Sequence, residues 1–169
     1  MPGKRVLVAY GSKYGATAGI AERIGETLRR RGLEADVLRA SEARDLAPYD
    51  AAVLGSGVYA GNWLKEAASL LTSQETWFTA HPVWLFSDGP TGPGDPVEQL
   101  KGWRFPQRLQ PVADRIKPRD VVVFHGALDP DKMSLPEKLI IRALKAPTGD
   151  FRDWQAIEVW AEGIAAAVG

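Results

Sequence analysis

The chain contains no cysteine, which excludes disulfide bonds, thiol redox chemistry and cysteine-ligated metal sites. Only His81 and His125 remain as imidazole ligands, and no metal site is expected. Neither charge is in excess, because 21 basic residues balance 21 acidic ones, so the composition does not favour nucleic acid as a partner. There is also no hydrophobic run long enough for a signal peptide or a membrane span. We expect a cytoplasmic protein without stable membrane insertion.

Two common phosphate-binding motifs are absent as well. Neither G-x-x-x-x-G-K-[ST] nor G-x-G-x-x-G follows the first apolar run. In their place stands a phosphate loop, residues 12–17 (S-K-Y-G-A-T), between a strand-like segment and a helix-like one. Ser12 and Thr17 can donate hydroxyl groups to an anion, Gly15 permits a tight turn, and the helix that follows presents unpaired N–H groups. The loop therefore predicts a site for one phosphate monoester. Its backbone cradle is expected at Lys13, Tyr14, Gly15 and Ala16.

The apolar segments predict a single α/β domain over residues 1–169. Short runs without polar interruption are typical of parallel strands covered on both faces. Those runs lie at 6–9, 51–54, 83–86 and 121–124, with a shorter strand at 34–38. Helices are expected at 16–31, at 63–71 and after Asp153, which is a suitable N-cap. This alternation predicts a doubly wound sheet of five parallel strands with helices on both faces, which binds ligands beyond the carboxyl ends of its strands.

Two more loops follow predicted strands at that same edge. The second loop combines small residues with two aromatic ones that suit a flat heterocycle, with a core anchor as the alternative role for Trp63. It is predicted to contact the ligand through Ser56, Gly57, Val58, Tyr59, Ala60, Gly61, Asn62 and Trp63. The third loop is rich in glycine and proline and can present backbone groups to a ring edge. Its predicted contacts are Ser87, Asp88, Gly89 and Pro90.

The phosphate loop resembles the flavodoxin motif for FMN phosphate, T/S-x-T/S-G-x-T. Ser12, Gly15 and Thr17 match, whereas Tyr14 occupies a position that usually carries serine or threonine. The resemblance implies a flavodoxin-like sheet with strand order 2-1-3-4-5 and FMN as the cofactor. A bound organic cofactor would also supply the redox chemistry that a chain without cysteine lacks. The third loop has no aromatic residue to cover the ring, so we expect a more open face that a second substrate could occupy.

The second half of the chain resembles the menaquinone-dependent protoporphyrinogen oxidases of the flavodoxin superfamily. The resemblance is carried by residues 124–128 (F-H-G-A-L), residues 139–142 (L-I-I-R), Gly149-Asp150 and Asp153-Trp154. It implies an FMN-dependent oxidoreductase that passes electrons to a quinone or to a redox partner protein. Two alternatives stay open: a non-enzymatic FMN electron carrier, and a degenerate flavodoxin-fold module that binds no cofactor.

An insertion at about 129–149 has no counterpart in a minimal flavodoxin. Its apolar residues alternate with Lys138, Arg142 and Lys145, as in an amphipathic helix. Such a helix could border a quinone or make peripheral contact with lipid. We expect it instead to pack against the edge of the sheet. His125, at the end of the last strand, has either a structural role or a role in proton movement.

Overall fold

The computed structural model describes residues 3–169, so Met1 and Pro2 of the expected domain lie outside the described part. The described residues contain β strands that alternate with helices for most of the chain. The strands are β1 (Arg5–Gly11), β2 (Glu34–Arg39), β3 (Ala51–Tyr59), β4 (Asn62–Trp63), β5 (Val83–Asp88), β6 (Asp120–Phe124), β7 (Ala127–Leu128) and β8 (Gly149–Asp150). The α-helices are α1 (Ala16–Arg30), α2 (Lys65–Ser73), α3 (Glu75–Ala80), α4 (Pro96–Gln99), α5 (Gln110–Ile116), α6 (Leu135–Leu144) and α7 (Trp154–Val168).

Five of the strands form a parallel sheet in the order β2-β1-β3-β5-β6. Counted along these five strands, this is the predicted order 2-1-3-4-5, which is confirmed. Val8 at the centre of β1 pairs with Val37 of β2 on one side and with Val53 of β3 on the other. The strand order reverses at β1, so the crevice at the switch point opens between the loops that follow β1 and β3.

Hydrophobic side chains fill both sides of the sheet, as expected for strands that are apolar throughout. Residues at alternate positions of the strands point to opposite faces. One face packs against α1 and α7, where Ile20, Ile24 and Ile157 are fully buried. The other face packs against α2, α3 and α5, where Leu71 and Phe78 are fully buried. Helices therefore cover both faces, and the loops at the carboxyl edge remain free to bind a ligand.

The ends of two helices follow directly from sequence. Helix α1 stops before Gly32, whose φ of 90° lies in the left-handed region that glycine adopts without strain. Helix α7 begins after Asp153, whose carboxylate accepts a hydrogen bond from the Ala156 N–H at 3.0 Å. The predicted N-cap is thus confirmed. It satisfies one of the N–H groups that the first turn of any helix leaves unpaired.

Two expectations from the sequence are wrong. Helix α6, in the insertion, does not bury a face against the sheet edge, because none of its residues is buried. The predicted loop at 56–63 is largely a β hairpin in which β3 runs on to Tyr59 and pairs antiparallel with β4. A two-residue turn at Ala60 and Gly61, both with positive φ, connects the two strands. No helix among residues 3–169 is both long and apolar enough to cross a bilayer.

Candidate cofactor site

A cavity of about 940 Å³ opens at the carboxyl edge of the sheet, where the loops after β1, β3 and β5 meet. Several of the predicted contact residues line it: Ser12, Tyr14, Ala16, Thr17, Gly57, Val58, Tyr59, Ala60, Asp88, Gly89 and Pro90. The other predicted residues do not line it: Lys13, Gly15, Ser56, Gly61, Asn62, Trp63 and Ser87. A shallower hollow of about 620 Å³ beside α2 contains none of the three predicted loops. The larger cavity is therefore the candidate site.

The phosphate loop is held in shape by hydrogen bonds to its backbone. The Ser12 N–H donates to the Glu66 carboxylate at 3.3 Å, and the Arg39 guanidinium donates to the Ser12 carbonyl at 2.8 Å. The Ser12 hydroxyl oxygen accepts the Gly15 N–H at 3.0 Å, which closes the loop on itself. Gly15, with φ of 95°, stands at the start of α1 without a side-chain cap. The first N–H groups of α1 thus lack a capping side chain, as an anion site at a helix N-terminus requires.

The hydroxyl of Thr17 is directed at a neighbouring strand. Its oxygen donates to the Asp88 carboxylate at 2.6 Å, and both side chains are buried. In this structure the one hydroxyl proton of Thr17 is committed to Asp88, so the role of Thr17 as a phosphate donor stays a prediction. Sequence reasoning missed this pair because the two residues are 71 positions apart. The pairing of β3 with β1 on one side and with β5 on the other brings the end of β5 near the start of α1.

Asp88 is the most strongly perturbed acid of the cavity. Burial raises the pKa of its carboxyl to about 6, against the opposing effects of the Thr17 hydroxyl and the positive charge of Arg152. The phenol of Tyr59 is affected by the same carboxylate. Burial, and then the negative charge of Asp88, raise the pKa of Tyr59. Near neutral pH the cavity therefore contains a buried carboxyl group that changes its protonation state easily.

The structure contradicts the ligand contact predicted for Trp63. Its indole is buried, packs edge-on against Phe105 with ring centroids 5.0 Å apart, and donates a hydrogen bond to the Ser87 hydroxyl at 2.8 Å. Trp63 is the core anchor that sequence reasoning held as the alternative, and Ser87 is its partner. Ser56 is buried too, where its hydroxyl accepts the Leu64 N–H and donates to the Gly57 carbonyl. Tyr59 is thus the aromatic residue of the second loop that lines the cavity.

His125 braces the third loop. Its two ring nitrogens lie 3.0 Å from the Pro90 carbonyl oxygen and 2.6 Å from the Gly94 carbonyl oxygen. The side chain is buried and does not line the cavity. These contacts favour the structural role for His125, because both nitrogens are occupied by the backbone that forms one wall of the site.

One wall of the cavity was not predicted. It is mainly apolar and comes from the segments around α6 and β7: Leu128, Met133, Ile140, Ile141, Leu144, Ala146 and Pro147. The Lys13 ammonium joins this wall to the phosphate loop through an ion pair with Glu137 of α6 at 3.2 Å. The signal in the sequence is the amphipathic pattern of the insertion, which is compatible both with the expected contact to the sheet edge and with the alternative of a border to a quinone.

Comparison with known proteins identifies the family. The flavodoxin domain family matches residues 7–155, which is most of the chain. The chain belongs to the flavodoxin domain family. Membership implies FMN as the cofactor and electron transfer to redox partners. No curated protein matches the chain.

Solved structures agree with this fold. Rubredoxin oxygen:oxidoreductase from Desulfovibrio gigas superimposes with a TM-score of 0.65 at 14% identity over 99% of this chain, which spans 36% of that protein. A flavodoxin from the domain Archaea gives 0.59 at 14% identity, covering 97% of this chain and 98% of that one. A mutant flavodoxin from Pseudomonas aeruginosa superimposes with a TM-score of 0.58 at 16% identity, covering 97% of this chain and 98% of that one. At these identities the likeness shows the fold alone, and it does not extend to the protoporphyrinogen oxidase subtype.

The residues of this flavodoxin domain fit FMN. The phosphate loop offers the Ser12 hydroxyl proton and uncapped backbone N–H groups, and Tyr59 lines the same cavity with an aromatic ring suited to a flat heterocycle. The Tyr14 hydroxyl is buried without any hydrogen-bond partner among residues 3–169, although Tyr14 lines the cavity. A buried hydroxyl without a partner is costly, and a ligand with oxygen acceptors would satisfy it.

Proposed function

We propose that this flavodoxin domain is an FMN-dependent oxidoreductase that passes electrons to a small apolar acceptor of the quinone class. The observation that carries the proposal is the two-sided character of the cavity. Ser12, Tyr14 and Asp88 give it a polar side, and Ile140 and Leu144 of α6 contribute to its apolar side. The phosphate tail needs the polar side and the flavin ring only part of the apolar side, so the remaining apolar surface favours a second, apolar molecule.

FMN, when bound, supplies the one- and two-electron chemistry that the side chains of this chain lack. The chain's own residues bind the cofactor and form the walls of the cavity. The backbone of the phosphate loop holds the phosphate, Tyr59 lines the same cavity, and α6 contributes apolar side chains to its wall. Asp88 is a buried acid whose pKa of about 6 allows it to hold or release a proton inside the cavity near neutral pH. Reduction of a quinone consumes protons as well as electrons, which gives such a group a role.

The electron donor is proposed from resemblance only. The second half of the chain resembles menaquinone-dependent protoporphyrinogen oxidases, so protoporphyrinogen is a donor to assay. The coarser alternative is a carrier that docks partner proteins. Helix α6 argues for the enzyme, because the apolar side chains that it adds to the cavity wall suit a small apolar acceptor.

A quinone assay that does not depend on the donor tests this proposal. The FMN-loaded protein is reduced chemically without oxygen and mixed rapidly with menadione, and the reoxidation of the flavin is followed by absorbance. An acceptor that binds in the cavity predicts a rate that saturates with menadione concentration. A rate that stays linear in menadione, with fast reoxidation by redox proteins, would contradict the enzyme and favour the carrier.

Helix α6 offers a matched pair of variants. Ile140 and Leu139 are neighbours, each 57% exposed, but only Ile140 lines the cavity. Because burial of a few apolar carbons against an acceptor contributes about 1–2 kcal/mol, Ile140→Ser should raise the half-saturating menadione concentration roughly 5- to 30-fold. Leu139→Ser should leave it unchanged. Equal effects of the two substitutions would show that the acceptor does not use this wall.

A further inference from the structure

Tyr14 replaces a small hydroxyl residue of the flavodoxin motif, and its own hydroxyl has no partner among the described residues. Burial of this oxygen is nearly complete, although the rest of the side chain is partly exposed. Buried polar side-chain atoms almost always find a partner. In the described part of the chain the Tyr14 hydroxyl is the exception, and it belongs to a residue that lines the cavity.

The other side chains of the loop leave a shortage of donors for an anion. The Thr17 hydroxyl proton is given to Asp88, and Lys13, whose ammonium is paired with Glu137, does not line the cavity. Ser12 keeps a free hydroxyl proton, because its oxygen only accepts from the Gly15 N–H. A phosphate group therefore meets one side-chain donor at Ser12 and needs another that does not already serve the protein.

The Tyr14 ring is held in place by its neighbours. The Lys13 ammonium lies 5.2 Å from the centroid of the Tyr14 ring and 5.8 Å from that of Tyr59, within the range of a cation–π contact. The same ammonium is fixed by its ion pair with Glu137 at 3.2 Å. The Tyr14 ring thus lies against a cation that is itself held by an ion pair to α6.

We propose that the Tyr14 hydroxyl donates a hydrogen bond to a phosphate oxygen of FMN, and so determines preference for the phosphorylated cofactor over riboflavin. This inference rests on the proposed FMN function and adds a side-chain ligand at the position where the chain departs from the motif. A phenol is a good donor to a charged oxygen, and such bonds are stronger than neutral ones.

The test compares Tyr14→Phe with the wild-type chain in titrations of FMN and of riboflavin, followed by quenching of flavin fluorescence. Loss of a hydrogen bond to a charged group should raise the Kd for FMN about 10- to 100-fold. The Kd for riboflavin, which lacks the phosphate, should change by less than about 2-fold. Tyr10→Phe is the matched control: Tyr10 is the nearest tyrosine along the chain, packs against Arg39 and does not line the cavity. It should bind both flavins normally.

Three results would overturn the inference. Equal weakening of both flavins by Tyr14→Phe would place the bond on the ribityl chain or the ring. Unchanged binding of both would show that the hydroxyl serves neither, and thermal unfolding of the variant verifies that it is folded. If the wild-type chain does not quench FMN fluorescence at all, the proposed function fails together with this inference. The wild-type titration alone distinguishes this outcome from a failure of the Tyr14 inference.

Discussion

Replacing Asp88 by asparagine should stabilise the protein at neutral pH relative to acid pH. The carboxyl is only 3% exposed, and burial raises its pKa from the ordinary 3.8 to about 6. Because its folded pKa is higher than its unfolded pKa, the stabilisation is fully present below pH 3.8 and is lost as the pH rises through 6. At about 1.4 kcal/mol per tenfold change in the ionisation constant, the wild-type chain loses roughly 3 kcal/mol by pH 7. Asp88→Asn removes this loss.

The measurement is urea unfolding of both chains between pH 4 and pH 8. A buried asparagine brings its own hydrogen-bond cost, which shifts the free energy of unfolding by a constant amount. The difference between the variant and the wild-type chain should therefore be compared across pH, and should grow by about 2 kcal/mol in favour of the variant from pH 4 to pH 7. Thr17 can still donate to the amide oxygen of the variant.

An exposed aspartate provides the control for this prediction. Asp114 lies on the surface of α5, so Asp114→Asn should change the free energy of unfolding by only a few tenths of a kcal/mol, or about the scatter of surface substitutions. A difference between Asp88→Asn and the wild-type chain that stays constant from pH 4 to pH 8 would refute the reasoning. It would mean that Arg152 and Thr17 compensate the buried charge fully.

Two further pairs of variants test the packing beside the site. Gly55→Ala should cost about 3 kcal/mol or more in urea unfolding, because the added Cβ overlaps the buried ring of Phe86, whereas Gly163→Ala in the middle of α7 meets nothing and should stabilise by about 1 kcal/mol. Similar changes in the free energy of unfolding for Gly55→Ala and Gly163→Ala would refute the overlap with Phe86. Trp63→Phe should lower stability by about 1–3 kcal/mol through its lost hydrogen bond but leave the absorbance spectrum of bound FMN unchanged. Tyr59→Ala should shift that spectrum, and the reverse pattern would mean that the indole, not the phenol, contacts the flavin.

The sheet was predictable because its signal is local. Strands that are buried on both faces must be apolar along their whole length, and runs such as residues 51–54 show this without reference to the rest of the chain. The caps of α1 and α7 are local too, since Gly32 and Asp153 act within one turn of their helices. The position of the phosphate loop followed from the strand order, which places it at the switch point.

The chemistry of the site was less predictable because it depends on distant partners. A threonine that follows a glycine loop has the same sequence signal whether its hydroxyl faces a phosphate or a carboxylate. In the structure the Thr17 hydroxyl bonds to Asp88, which lies on another strand. The sequence around Trp63 is similarly compatible with stacking on a ligand and with packing in the core. The hydrogen bond from its indole to Ser87 shows that it belongs to the core. An amphipathic helix such as α6 shows that one face is apolar but does not show what that face contacts.

The features that lower stability lie together at one place in the fold. The Tyr14 hydroxyl is buried without a partner among residues 3–169, the Asp88 carboxyl is buried with a raised pKa, and α6 leaves Leu144 70% exposed beside the same cavity. Each is unfavourable for folding, the first two by about 1–3 kcal/mol. The core on both faces of the sheet is well packed, so these costs do not reflect a poorly formed domain. Departures from stable packing that gather at a single cavity are what a binding site with its own chemistry requires, because groups that fully satisfied one another would have nothing left to offer a ligand.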